Sequence, residues 1–410
     1  MAAKSLSDWL SYIESQHPSE IELGLDRGLK VLAELDLKRP NKKVITVAGT
    51  NGKGSSCALI TQYLISIGRT VGTYTSPHFL RFNERVSLND RECSDELLIN
   101  AFEKIENARK DTPLTFFEFS TLAALLIFSE LELDYWVLEV GLGGRLDSVN
   151  MIDTDLAVVT SISLDHTDWL GDSLDVIARE KAGIARSSKP LVSGVVNPPS
   201  SISEVAQALN APLYQKGCDF AYAIDDGQYW SWSSEKAQYS NLPRPKLPIE
   251  NAATVIQALM LLDEGVSQAQ LEALFSNATL KGRFELVEKD PFVYIDVAHN
   301  PEAANELKSR VSQFDKKPIA VIGMLKDKDI ASVLDILKDA FQSWKVCSLN
   351  VPRGASKSEL LALLPSDVKG FDEFEGAYSE AVKQARVENR PVVIFGSFVT
   401  VSHYLEMREL

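Results

Sequence analysis

Lys53 is the side chain around which chemistry can be organised. It stands in Gly49-Thr50-Asn51-Gly52-Lys53-Gly54-Ser55-Ser56. Small residues there let successive backbone N–H groups converge on a phosphate, and the lysine adds a full positive charge. Ser55 or Ser56 would offer a hydroxyl to a magnesium ion. The stretch departs twice from the usual Gly-x-x-x-x-Gly-Lys-Ser/Thr spacing. Val47 holds the first position, and Gly54 separates the lysine from its serines.

Further groups follow at the ends of apolar runs. Glu139 closes Tyr135–Val140, where phosphate-loop proteins hold magnesium, and a buried acid is costly unless paired or on a metal. His166 follows Leu156–Ile162 and is placed to join Glu139 on that metal. Thr70–Thr75 runs into Ser76–Val86, where Ser76-Pro77 is a turn signal. That stretch is either a surface turn or a loop that gives Ser76 to a metal and basic side chains to an anion. Gly141-Leu142-Gly143-Gly144-Arg145-Leu146-Asp147 is no dinucleotide fingerprint, because Leu146 stands where Gly or Ala is required. A glycine turn carrying Arg145 and Asp147 towards a substrate fits better. Thr115-Phe116-Phe117-Glu118 reads as core packing or as a wall for a flat heteroaromatic ligand. Lys181, within Leu174–Ile184, reads from the residues alone as a solvated helix lysine. Ile21–Arg27 reads as a loop between packed helices.

The elements that must position these groups alternate. Val44–Ala48 is a β-branched run, and Ala58, Leu59, Tyr63, Leu64 and Ile67 then recur on one helical face until Gly68. Residues 5–39 read as two helices broken near His17-Pro18, the first capped by Ser7. Residues 212–249 are rich in Tyr, Trp, Ser and Pro, and read as short antiparallel strands followed by a linker. Asn251–Leu262 and Ser267–Ser276 are helical. From Phe292 strands and helices alternate again, giving a second α/β domain without its own phosphate loop. The expected division is 1–286 and 287–410, the smaller domain closing over the larger.

Length and charge bound the answer. A chain of 410 residues exceeds one ordinary core. A net charge of −15 argues against a nucleic-acid partner, though a local basic pocket could still take a small anion. Cys57, Cys93, Cys218 and Cys347 are scattered and read as reduced thiols of a cytoplasmic protein. The N-terminal Met1–Asp8 lacks the apolar core of a signal peptide, and the most apolar stretch, Leu122–Phe128, is too short to span a membrane. No heptad asks for a partner, so a monomer is expected.

Gly49-Thr50-Asn51-Gly52-Lys53-Gly54-Ser55 resembles the phosphate loop of the Mur ligase superfamily, with the Gly-Ser ending of its folylpolyglutamate synthase branch. The ordered set that follows strengthens the resemblance: Ser76-Pro77-His78, Phe117-Glu118, Leu138–Asp147, Asp165-His166-Thr167, Glu180–Ile184, Gly282-Arg283-Phe284, Asp296–Pro301 and Phe395–Phe398. It implies an α/β fold with a phosphate-loop ATPase domain and a smaller Rossmann-like domain. It implies ATP held by Thr50, Asn51, Gly52, Lys53, Gly54 and Ser55, with Asn251, Arg283 and Asp296 as further contacts. Ser76, Glu139 and His166 would ligate Mg²⁺, and Lys181 is often carbamylated in this family. Glu22, Leu23, Gly24, Leu25, Thr115, Phe116, Phe117, Glu118, Leu146, Asp147 and Ser148 match its pterin-binding segments, in the form found in bifunctional enzymes. The implied activity joins L-glutamate to dihydropteroate and to tetrahydrofolates through an acyl phosphate, with Lys53, His166, Lys181 and His299 as catalytic residues. The alternatives are a folylpolyglutamate synthase without dihydropteroate activity and another Mur-type amino-acid ligase.

Overall fold

The computed structural model describes residues 4–17, 22–225 and 227–409. Pro18 and Ile21, at the expected helix break and loop, lie outside them. Contacts divide the chain into two units, Met1–Ala278 and Thr279–Leu410.

The first unit is built on eight strands: β1 Lys43–Ala48, β2 Val71–Tyr74, β3 Val86–Leu88, β4 Arg91–Glu92, β5 Tyr135–Glu139, β6 Leu156–Val159, β7 Leu191–Ser193 and β8 Leu213–Gln215. Among the described residues their order is β4-β3-β2-β5-β1-β6-β7-β8. β1 lies parallel between β5 and β6, with Val47 opposite both Glu139 and Val158. Its β-branched residues are wholly buried, as a parallel sheet covered on both faces requires. The chain steps outward from β1 to β2, returns to β5, then crosses to β6. The carboxyl ends beside β1 are therefore the switch point where such sheets hold ligands.

Helix Phe116–Glu130 is apolar all round, and from Glu118 to Ser129 it is buried at every position. That is the signature of a helix enclosed on every side rather than amphipathic. Residues Asp95–Arg109 form a helix capped by Ser94, which the sequence reading passed over. Residues 212–249 need a correction. β8 pairs parallel with β7 and extends the main sheet. Only β9 Phe220–Ile224, β10 Tyr229–Ser234 and β11 Gln238–Pro243 are antiparallel. Trp232 Nε1 of β10 donates to Ala253 O at 3.0 Å and pins that small sheet to helix Ile249–Met260.

The second unit has strands β12 Glu285–Lys289, β13 Phe292–Ile295, β14 Ile319–Ile322, β15 Ser343–Cys347, β16 Lys369–Phe371 and β17 Val392–Phe395, ordered β12-β13-β17-β14-β15-β16. β12 is antiparallel to β13, and the other pairings are parallel. Gly282-Arg283-Phe284 folds with this unit. Phe284 N donates to Asp296 Oδ2 at 2.8 Å, and Val297 N donates to Gly282 O at 3.0 Å. The division therefore falls ahead of the 286/287 boundary read from the sequence.

Candidate active site

The loop after β1 is held in shape from two sides. Gly52 enters helix Lys53–Ser66 with φ 81°, and a Cβ there would lie 2.3 Å from Asn251 Oδ1. Only glycine suits both the left-handed backbone and that approach. The strand end after β6 supplies the other side. Thr50 N donates to Ser161 O at 2.9 Å, Asn51 N to Ser161 Oγ at 3.0 Å, and Thr160 Oγ1 to Asn51 O at 2.6 Å. Lys53 Nζ crosses back to Gly49 O at 2.9 Å and Thr50 O at 3.0 Å. Ser55 and Ser56 are buried in the first turn of the helix.

Lys181 corrects the solvated-lysine reading. It is 5% exposed, and its Nζ donates to Gly49 O at 3.0 Å. Helix Leu174–Ala182 turns Ile177, Ala178 and Lys181 inward, while Asp175, Val176 and Arg179 face out. The lysine falls on the buried stripe by helical spacing. Its helix also grips the glycine turn, since Arg145 N donates to Glu180 O at 2.8 Å.

Ser76 and Glu139 meet at the ends of the paired strands β2 and β5. Ser76 N donates to Glu139 Oε2 at 3.1 Å, and the carboxylate is 5% exposed. His166 follows β6 in left-handed backbone, φ 53°, and is exposed. Among the described residues no three His, Cys, Asp or Glu side chains form a metal cluster. A metal here would rest on a mixed set of hydroxyl, buried carboxylate and imidazole, completed by phosphate oxygens. That set fits a hard divalent cation such as Mg²⁺ or Mn²⁺.

The three segments expected to form a pterin wall come together. Gly24 N donates to Leu146 O at 3.2 Å. Arg27 Nε donates to Glu118 Oε1 at 3.2 Å, and the same guanidinium pairs with Glu22. Glu118 closes a capping box with Thr115, whose N–H it accepts at 2.7 Å. A Cβ on Gly141 would lie 2.6 Å from Phe117 Cζ, so that ring rests on the glycine turn. Phe116 and Phe117 are both half-buried. Ser148 is buried beside Asp147. Asp147 is 2% exposed and accepts Leu142 N at 2.8 Å and Val149 N at 2.9 Å. Burial pushes its carboxyl up to about 6, against those N–H groups and the Lys53 charge, which act the other way.

Arg27 and Arg85 fell within loops read from the sequence, but neither was given a partner there. Arg27 was read as the end of the Ile21–Arg27 loop, whereas it stands in the first turn of helix Asp26–Leu35. Arg85 Nε donates to His78 Nδ1 at 2.7 Å. Burial and the Arg85 charge drive His78 down to about 4, so its ring stays neutral as an acceptor.

In the second unit Asp296 accepts Phe284 N and Ala298 N, the latter at 2.7 Å. Burial raises its carboxyl, while Arg283 lowers it. His299 Nδ1 lies 2.8 Å from Val297 O. A carbonyl only accepts, so Nδ1 carries the proton and Nε2 is the basic nitrogen.

Residues 47–240 match the Mur ligase middle domain, and residues 282–398 match the Mur ligase glutamate ligase domain. The dihydrofolate synthase/folylpolyglutamate synthase of Escherichia coli (strain K12) is 44% identical over 99% of this chain and 96% of its own. Escherichia coli FolC in complex with DHPP and ADP superposes with TM-score 0.96 at 43% identity, covering 100% of this chain and 99% of that one. A bifunctional folylpolyglutamate synthase/dihydrofolate synthase with Mn, AMPPNP and L-glutamate bound gives TM-score 0.92 at 41% identity, covering 100% and 99%.

Proposed function

This chain belongs to the dihydrofolate synthase/folylpolyglutamate synthase branch of the Mur ligase family, and we propose that it carries out both reactions of that name. It is an ATP-dependent ligase that joins L-glutamate to dihydropteroate and to tetrahydrofolates. The observation that carries the dual reading is the meeting of Glu22–Leu25, Thr115–Glu118 and Leu146–Ser148 in one wall, tied by the Gly24–Leu146 and Arg27–Glu118 bonds.

A carboxylate is a poor acyl donor, because its leaving group would be an oxide. Transfer of the γ-phosphoryl group of ATP makes it an acyl phosphate. The amine of L-glutamate then attacks the carbonyl carbon, phosphate leaves, and an amide remains. Lys53 and the loop N–H groups stabilise charge on the transferring phosphoryl oxygens. Ser76, Glu139 and His166 would hold Mg²⁺, which when bound neutralises phosphate charge. Asn251 beside the loop, with Arg283 and Asp296 of the second unit, contacts ATP in this reading. His299 is the base that takes the proton from the glutamate ammonium through its Nε2. Lys181 is carbamylated, becoming an anion beside the loop. The protein acts as a cytoplasmic monomer. Among the described residues no helix is long and apolar enough to cross a membrane.

The test is glutamate-dependent ATP consumption with dihydropteroate and tetrahydrofolate as separate acceptors. Turnover with both supports the proposal. Turnover with tetrahydrofolate alone would leave a polyglutamate synthase, and turnover with neither would make the substrate assignment wrong. Lys53→Ala should lower kcat at least about 100-fold, the effect of losing one strong charge-stabilising donor.

A further inference from the structure

Arg85 is a half-buried cation that the scheme above leaves unused. It ends the short helical turn Phe82–Arg85, and its carbonyl accepts Thr75 N at 2.9 Å, directly before Ser76. Its guanidinium stands 5.5 Å from the Phe116 ring and 5.9 Å from the Phe82 ring. Its charge acts on the Tyr74 hydroxyl, and its Nε donates to His78 Nδ1. These partners are all neutral. The adjacent Glu84 caps the backbone N–H groups of Phe79, Leu80 and Arg81. Among the described residues no carboxylate pairs with Arg85, whereas Arg27, Arg69, Arg109, Arg145 and Arg186 each hold one. A guanidinium sheltered from water and left with neutral partners is matched by a planar anion that it can grip in bidentate fashion.

Its position says which anion. One side of the guanidinium faces Phe116, in the pterin wall. Its backbone is tied to the strand end that carries Ser76, which bonds Glu139, where the reacting carboxyl must meet phosphate. A substrate lying against Phe116 with its carboxyl turned towards Ser76 would have Arg85 beside it. The two proposed acceptors differ in what they carry there. Dihydropteroate has a single carboxyl, which is the one activated. Tetrahydrofolate ends in a glutamate with two, so one stays ionised throughout, next to a triphosphate in a chain of net charge −15.

We propose that Arg85 binds the unreacted α-carboxylate of the terminal glutamate of tetrahydrofolate, and so supports polyglutamylation selectively over dihydrofolate synthesis. The inference rests on the proposed dual function. It makes Arg85 a specificity residue, with His78 orienting its Nε.

The experiment compares kcat/KM for dihydropteroate, tetrahydrofolate and tetrahydrofolate α-carboxamide, using native protein and Arg85→Gln. Removing one hydrogen-bonded charge pair should cut kcat/KM for tetrahydrofolate about 10- to 100-fold relative to dihydropteroate. The α-carboxamide should lose a similar factor with native protein and nothing further with Arg85→Gln. Arg85→Lys should recover part of the loss, and KM for L-glutamate should not move. Equal losses with both acceptors, or a raised KM for L-glutamate, would overturn the proposal, since Arg85 would then serve a group common to both reactions. An α-carboxamide used as well as tetrahydrofolate by native protein would overturn it without any variant, so the test survives if Arg85→Gln does not fold. Native protein inactive with both acids would instead bring down the functional reading beneath it.

Discussion

Asp147→Asn is the substitution whose effect the structure lets one work out in most detail. The carboxyl is enclosed in the first unit, accepts backbone N–H groups of Leu142 and Val149, and caps the short helix Ser148–Met151. Burial outweighs these donors and raises its pKa from 3.8 to about 6. The folded protein therefore holds a proton there that the unfolded chain has released, and this group's contribution to stability falls as pH rises from about 4 to about 6. The shift corresponds to about 3 kcal/mol. Asparagine has the same shape but cannot ionise, and its NH₂ faces one of the two N–H donors, a mismatch costing about 1–3 kcal/mol. At pH 4 the native protein should be the more stable. By pH 7 the gap should close or reverse. Urea unfolding of native and variant proteins at half-unit steps from pH 4 to 7, with ΔG by linear extrapolation, measures that gap. A gap that stays flat over the range would mean that Asp147 does not titrate as its burial requires.

Two further expectations concern charged groups of the same unit. Glu264 should show the opposite sign. Burial raises its pKa, but bonds from Tyr135 at 2.5 Å, Arg69 at 2.5 Å and Lys42 at 3.2 Å outweigh that and bring it to about 2. Its contribution of up to about 3 kcal/mol is present above pH 4.5 and lost as pH falls towards 2. Glu264→Gln should therefore be less stable at pH 7 and indistinguishable from native near pH 2 by circular dichroism melting. For Lys181, ¹³C-bicarbonate should give a carbamate resonance in native protein that Lys181→Ala lacks, and removal of bicarbonate should lower ligase activity reversibly. Activity indifferent to bicarbonate would rule out the modification.

The legible parts of the sequence were those in which periodicity and chemistry agreed. β1, β5 and β6 are apolar runs that each lead into a glycine turn or polar residues, so Gly49–Lys53, Glu139 and His166 could be placed at strand ends from the sequence. β8 was misread because three residues beside an aromatic-rich stretch carry too little pattern to tell a parallel edge from a hairpin. Lys181 was illegible for another reason. A nine-residue helix with charges on both faces does not say whether its one lysine turns inward, and that lysine's partner, Gly49 O, lies 132 residues away in sequence. The phenylalanine pair had two readings, and each ring has since acquired a partner of its own: Phe117 at Gly141, Phe116 over Arg85. Neither contact could be drawn from composition.

The two lysines at the loop raise a question of charge that geometry can answer. Lys53 and Lys181 both donate to the carbonyl of Gly49, so their ammonium groups stand at most about 6 Å apart, where like charges repel by about 3 kcal/mol at an effective dielectric of about 20. A bound triphosphate offsets that repulsion. Carbamylation reverses its sign, since an anion on Lys181 would attract Lys53 by a similar amount and turn the larger part of that cost into a restraint on the loop. The modification would also keep an N–H on the former amine, able to donate to Gly49. One buried lysine of the pair can thus change from a competitor of Lys53 into the group that holds it in place for phosphoryl transfer.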